Sequence, residues 1–140
     1  MTKQLKKHVS DMSFHEINYL QNILEDSWAN VQRLNLSYHL RDKIATGKTV
    51  YSSVLARECI QNFCDCLFEF NITTRQDGSQ SARVALRSKS VMKHKGKLYN
   101  QIIVVDIETL DVITSYLNHV NDKHKTLQDE RYTNFEIGGN

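Results

Sequence analysis

The chain has no proline in 140 residues, so the strongest interrupter of helices and strands is missing. Segment ends must be read from glycine, helix caps and changes of hydrophobic period. Glycine is sparse as well, at five residues, and none of them builds a Gly-rich phosphate cradle or Walker loop. No His-Glu-x-x-His helix and no nucleophile elbow are present either. No metal site and no cofactor is therefore expected, and any chemistry would fall to side chains alone. No apolar run approaches the roughly 18 residues that span a bilayer. The basic opening MTKQLKKHVSDM leads into an amphipathic segment rather than a short apolar core, unlike a signal peptide. These absences place the chain in a cytoplasm, that of the host if a phage encodes it. The three cysteines, Cys59, Cys64 and Cys66, are an odd number beside apolar residues. They are expected to be reduced core thiols, since a zinc site needs a fourth ligand at sensible spacing. The net charge of +2 argues against a strongly acidic nucleic-acid mimic. It is too small to demand a nucleic-acid partner, so the distribution of charge decides.

Hydrophobic residues make up 40% of the chain and charged residues 24%, the balance of a globular protein with one core. A single domain over 1–140 is expected, with 1–12 a flexible basic lead-in and 128–140 a loosely ordered tail. Ser13 and Glu16 form a capping-box pattern, with Met12 and Ile17 placed as a hydrophobic staple. Ile17, Leu20, Leu24, Trp28 and Val31 then recur at helical spacing, predicting a helix to about Arg33. Asn35 is read as the cap of a short second helix through Leu36, Leu40 and Ile44, stopped by Gly47. A third helix runs from Ser52 or Ser53 to about Asn62.

At Cys64 the period changes to two. Cys64, Cys66, Phe68, Phe70 and Ile72 alternate with polar residues, which predicts a half-buried strand. Asp77-Gly78 marks a hairpin. The return strand carries Ala82, Val84 and Leu86 on one face and Arg83, Ala85 and Arg87 on the other. Residues 89–97 read as a basic loop. Gln101–Ile107 is almost wholly apolar, as in a central strand buried on both faces. Val112–Leu117 is the last strand. Helices followed by about four antiparallel strands predict an α+β fold, with the helices packed on one face of the sheet.

Several residues could bind or cleave a phosphodiester. Arg83 and Arg87 share a strand face and can grip phosphate oxygens with paired hydrogen bonds. His39, His119 and His124 offer imidazoles suited to acid–base work near neutral pH. Lys89, Lys93, Lys95 and Lys97, with Lys125 beyond the last strand, could hold phosphates without regard to sequence. Tyr99, Tyr116 and Tyr132 could stack on bases, or pack across strands.

Tyr38-His39-Leu40-Arg41, the strand Arg83–Ser88, the strand and turn Ile103–Thr109, and Val112–Asn118 leading into His124-Lys125-Thr126-Leu127 together carry a resemblance. Over roughly 35–127 the chain resembles the barnase–EndoU–colicin–RelE group of small ribonuclease folds, especially its phage and mobile-element members. That resemblance implies metal-independent RNA cleavage by a histidine, a strand arginine or lysine and a late hydroxyl. His39, Arg83, Arg87, His124 and Thr126 are the matching positions. One departure is the modest charge, since toxin-type relatives are usually more basic and often travel with an antitoxin. The alternative is a non-enzymatic phage accessory protein that binds a host defence protein or ribonucleoprotein, through the first helix or a sheet edge. A homodimer through that helix is a further option.

Overall fold

A computed structural model describes residues 3–28, 34–121, 135 and 137. The elements run β1 (Lys3–His8), a 3-10 turn (Val9–Asp11), α1 (Phe14–Trp28), β2 (Asn35–Leu36), α2 (Tyr38–Ala45), α3 (Ser53–Gln61), α4 (Phe63–Cys66), β3 (Leu67–Thr74), β4 (Gln80–His94), β5 (Lys97–Asp106) and β6 (Asp111–His119). The class is α+β. The sheet has six strands rather than four, in the order β1-β3-β4-β5-β6-β2. All neighbours are antiparallel except β2, which runs parallel to β6. No helix among the described residues is long and apolar enough to cross a membrane.

The two extra strands are the edges. Residues 3–8, expected as a loose lead-in, pair with β3 from Lys3↔Thr74 to His8↔Glu69. Their only apolar member is Leu5, so the partner's backbone groups recruit the strand rather than its own hydrophobic pattern. Asn35 does not cap α2 but lies in β2, where its amide donates to Asp111 at 2.7 Å. The cap is Ser37, whose hydroxyl accepts from the Leu40 N–H and donates to the Ile113 carbonyl at 2.9 Å. That second bond ties α2 to β6.

The predicted capping box is in place. Glu16 N–H donates to the Ser13 hydroxyl at 3.1 Å, and Ser13 N–H donates to the Glu16 carboxylate at 2.9 Å. Ser52 caps α3. The expected strand from Cys64 starts later, because Phe63–Cys66 make one helical turn first. A register shift between Leu67 and Glu69 then turns Phe68 away from Phe70 and Ile72. The bulge interrupts the period-2 alternation and shifts the side chains that follow from one face to the other.

One face of the sheet carries the main core. Phe70, Val84, Leu86, Ile103, Val105 and Val112 pack with Leu20, Leu24, Leu40, Ala56, Cys59 and Phe63 from the helices. At about 25 cal/mol per Å² of apolar surface, each such buried side chain contributes roughly 1.5–3 kcal/mol. Gln101 is fully buried on this same face. Its amide accepts from Ser52 N–H at 2.7 Å and donates to the Ser52 carbonyl at 2.8 Å, locking α3 onto β5. The opposite face holds a small second cluster of Phe68, Ala85 and Ile102, flanked by Val9 and Val104.

Residues 89–97 are not a loop. β4 and β5 continue as a two-stranded arm to the pair His94↔Lys97. Lys95 (φ 51) and Gly96 (φ 79) make the two-residue turn, both in the left-handed region that tight hairpins require.

Candidate functional site

Alternation puts Arg83, Ala85 and Arg87 on the face away from the helices, beside Ile102 and Val104 of β5 and Thr114 and Tyr116 of β6. At one end of this face β4 bulges between Arg87 and Val91. There the bulge, the turn after β1 and α4 enclose a cleft of about 620 Å³, lined among others by His8, Val9, Asp65, Cys66, Phe68, Arg87, Lys89 and Asn100. Val9 and Phe68 belong to the second apolar cluster, so the floor is apolar and the polar groups stand on the walls.

Arg87 is held from one side. Its Nη2 donates to Asn100 Oδ1 at 2.9 Å, the His119 carbonyl at 3.3 Å and the Val120 carbonyl at 3.5 Å. Among the described residues nothing bonds its Nη1 or Nε. The guanidinium is thus oriented by protein through Nη2, and Nη1 and Nε are left to donate single, diverging bonds to an anion, since either parallel fork of the group includes Nη2. Asn100 is itself fixed, since its amide nitrogen donates to the Ser88 carbonyl at 2.8 Å. The arm's base is pinned from outside by Glu58 of α3, which accepts from the Ser90 hydroxyl at 2.6 Å.

His8 is 8% exposed. Its Nδ1 accepts the Ser10 backbone N–H at 3.1 Å. A backbone N–H can only donate, so Nδ1 is unprotonated and the neutral ring carries its proton on Nε2. His8 is therefore built as a hydrogen-bond donor rather than as a base at Nε2. Asp65 supplies the cleft's carboxylate. The neighbouring Cys66, with burial, raises the Cys59 thiol, and Cys59 lowers the Cys66 thiol against the opposing effect of burial. Cys64, by contrast, is exposed and donates to Gln21 at 2.7 Å. No group of three or more metal-ligating residues occurs among the described residues.

The predicted site residues are only partly brought together. Arg87 and Lys89 share the cleft. Arg83 lies on the same face about 13 Å further along β4, by strand rise. Its register partner there is Asp106, and its Nε is buried with no hydrogen-bond partner among the described residues. Lys93, Lys95 and Lys97 are exposed on the arm. No Asp or Glu lies between Asp77 and Asp106, so the arm is uniformly cationic. His39 is exposed on α2. That helix packs Leu40 into the main core, so the sheet lies between His39 and Arg87. His124, Lys125, Thr126 and Tyr132 lie outside the described residues.

His8, Asp65 and Asn100 were not singled out from sequence. His8 stands in a segment with no strand pattern. The one local signal was Ser10 two residues on, able to close a turn onto the ring.

No family model, curated protein or solved structure matches this chain.

Proposed function

We propose that this chain is a small ribonuclease-like, RNA-binding protein that seats a phosphodiester in the cleft at the β4 bulge. The observation that carries this reading is Arg87, oriented through Nη2 in the cleft beside Lys89, with Nη1 and Nε unbonded among the described residues. The kinship with the barnase–EndoU–colicin–RelE group belongs to the same proposal and rests on the residues quoted above.

In this reading Arg87 donates a single charge-assisted bond to a phosphate oxygen and its fixed positive charge stabilises the charge that builds on phosphorus. The Asp65 carboxylate takes the 2′-hydroxyl proton as the 2′-oxygen bonds to phosphorus, the P–O5′ bond breaks, and water protonates the departing 5′-oxygen. Lys89 and the arm lysines hold neighbouring phosphates.

The test incubates end-labelled single-stranded RNA with the wild type, Arg87→Ala and Asp65→Asn, all with EDTA present. Cleavage by the wild type is expected. Asp65→Asn should bind but not cleave, and Arg87→Ala should lose both. A folded wild type that neither binds nor cleaves RNA would overturn the proposal. Equal activity in all three proteins would overturn the assignment of the cleft.

A second reading is a non-catalytic accessory protein that docks on a host protein. It is favoured by Phe14, Tyr38 and Val54, which stand 79%, 78% and 75% exposed on the helices. Capture of a single protein partner, lost on Phe14→Ser or Tyr38→Ser, would support it over the first.

A further inference from the structure

Beyond the cleft, the arm carries a row of rings. Tyr99 pairs with Met92 on β4 and with His119 on β6. Its ring centroid lies 5.8 Å from His119, edge-on at 82°, and 6.5 Å from His94, tilted at 60°. Alternation along β5 puts Tyr99 on the same face as Gln101 and Ile103. The helix cover on that face reaches Gln101 through Ser52. Tyr99 is the next residue outward and is half-buried, while His119 is exposed.

His119 does not dangle. The Asn121 N–H donates to its Nδ1 at 3.1 Å, which fixes the ring and leaves the proton of the neutral form on Nε2. The pair of His94 across the arm is Lys97. Lys95 at the turn adds a second exposed cation, and no carboxylate lies on the arm.

We infer that the His94–Tyr99–His119 row is a base-stacking platform for single-stranded RNA, with Lys95 and Lys97 holding the adjoining phosphates. The inference rests on the RNA-binding reading and adds to it the strandedness of the ligand. Lysines alone would suit any polyanion. Three rings clustered beside them, set at steep angles to one another, favour a ligand that alternates flat π-surfaces with negative charge. A duplex hides its base faces inside the stack, so only an unpaired segment can use the row. Platform and cleft meet at the end of β6. His119 gives its ring to the platform and its carbonyl to Arg87. The row and the cleft lie on opposite faces of the sheet, so a strand on the row reaches the cleft only by passing round the end of β6.

The test is fluorescence anisotropy with a labelled 12-nucleotide 2′-O-methyl oligouridine, which binds as RNA but lacks the hydroxyl nucleophile. Tyr99→Leu keeps a residue suited to a pleated sheet and should weaken binding about tenfold, the scale of one lost stacking contact. Tyr99→Phe should bind like the wild type. His119→Ala, at an exposed ring, should weaken binding several-fold, and it decides the matter if Tyr99→Leu does not fold. The same oligomer as a duplex should bind more weakly than the single strand.

Tyr99→Leu and His119→Ala both binding like the wild type would overturn the platform. If Arg87→Ala still abolishes cleavage in that case, the reading of the cleft stands. A duplex binding as tightly as the single strand would also overturn it. No binding of any single strand by the wild type would remove both.

Discussion

At the corner where β1 meets α1, Lys7 is 3% exposed. Its ammonium donates to the two oxygens of Glu16 at 3.0 and 2.8 Å and to the Phe135 carbonyl at 2.5 Å. Glu16 is completed by the N–H groups of Ser13 and Ile137, at 2.9 and 2.6 Å. On the β4–β5 arm the lysines are as many as at the corner or more, but they stand in water with no carboxylate on the arm. A buried charge persists only when its hydrogen-bonding capacity is met inside the protein. The Lys7 charge is thus consumed by the fold, tying β1, α1, Phe135 and Ile137 together. On the arm it stays available to a ligand. The two regions look alike in sequence (KQLKK and KHKGK) and differ in the company the fold provides.

The sharpest way to break this contrast is at the corner. Glu16→Gln leaves Lys7 buried without its counter-charge, and should cost about 3 kcal/mol of unfolding free energy in urea titrations, the usual scale for removing one partner of a buried pair. Arm variants should leave that value unchanged.

The same pair sets a pH dependence. Burial alone would raise the Glu16 carboxyl. The Lys7 hydrogen bond, the Ser13 and Ile137 N–H groups and the Lys7 charge outweigh it and hold the carboxyl at about 2. A carboxyl depressed in the folded state contributes stability above its unfolded value near 4.5, and that contribution is lost as pH falls toward 2. The stability gap between wild type and Glu16→Gln should therefore shrink by up to about 3 kcal/mol on going from pH 5 to pH 2. A gap that stays constant over this range would contradict the role given to the pair.

At the open end the expected effects are functional. Arg87→Ala should lower RNA cleavage by about 100-fold, as loss of a fixed electrostatic donor does. Arg87→Lys should recover little of it, because an ammonium cannot hold the Asn100 contact and point a second donor at the phosphate as the planar guanidinium does. The smallest effect is expected from single arm lysines. Lys97→Gln should reduce the slope of log affinity against log salt by about 0.7 while changing the melting temperature little.

Much of the fold could be read from local chemistry. The Ser13–Glu16 box, the Asp77-Gly78 hairpin and the Arg83/Arg87 face all follow from near neighbours in sequence. What escaped depends on distant partners. Lys3–His8 has no strand pattern and pairs with the backbone edge of β3, with Lys7 also bound to Glu16 of α1. Cys64–Cys66 alternated like a strand, yet a helical turn and a bulge intervene before β3. The lysines of 89–97 suggested a loop, but Lys95-Gly96 closes a ribbon. In the site, Arg87 and Lys89 were legible as cations on a strand and just beyond it. His8, Asp65 and Asn100 were not, since only the folding of β1 and α4 beside the β4 bulge brings them to one cleft.

Ultraviolet crosslinking of the wild type to single-stranded RNA, with crosslinked peptides mapped by mass spectrometry, tests the contrast between closed corner and open arm most directly. The account predicts crosslinks within Arg87–Asn100 and at His119, and none at Lys7 or along α1. Crosslinks concentrated on α1 or α2, with the arm unmarked, would contradict it.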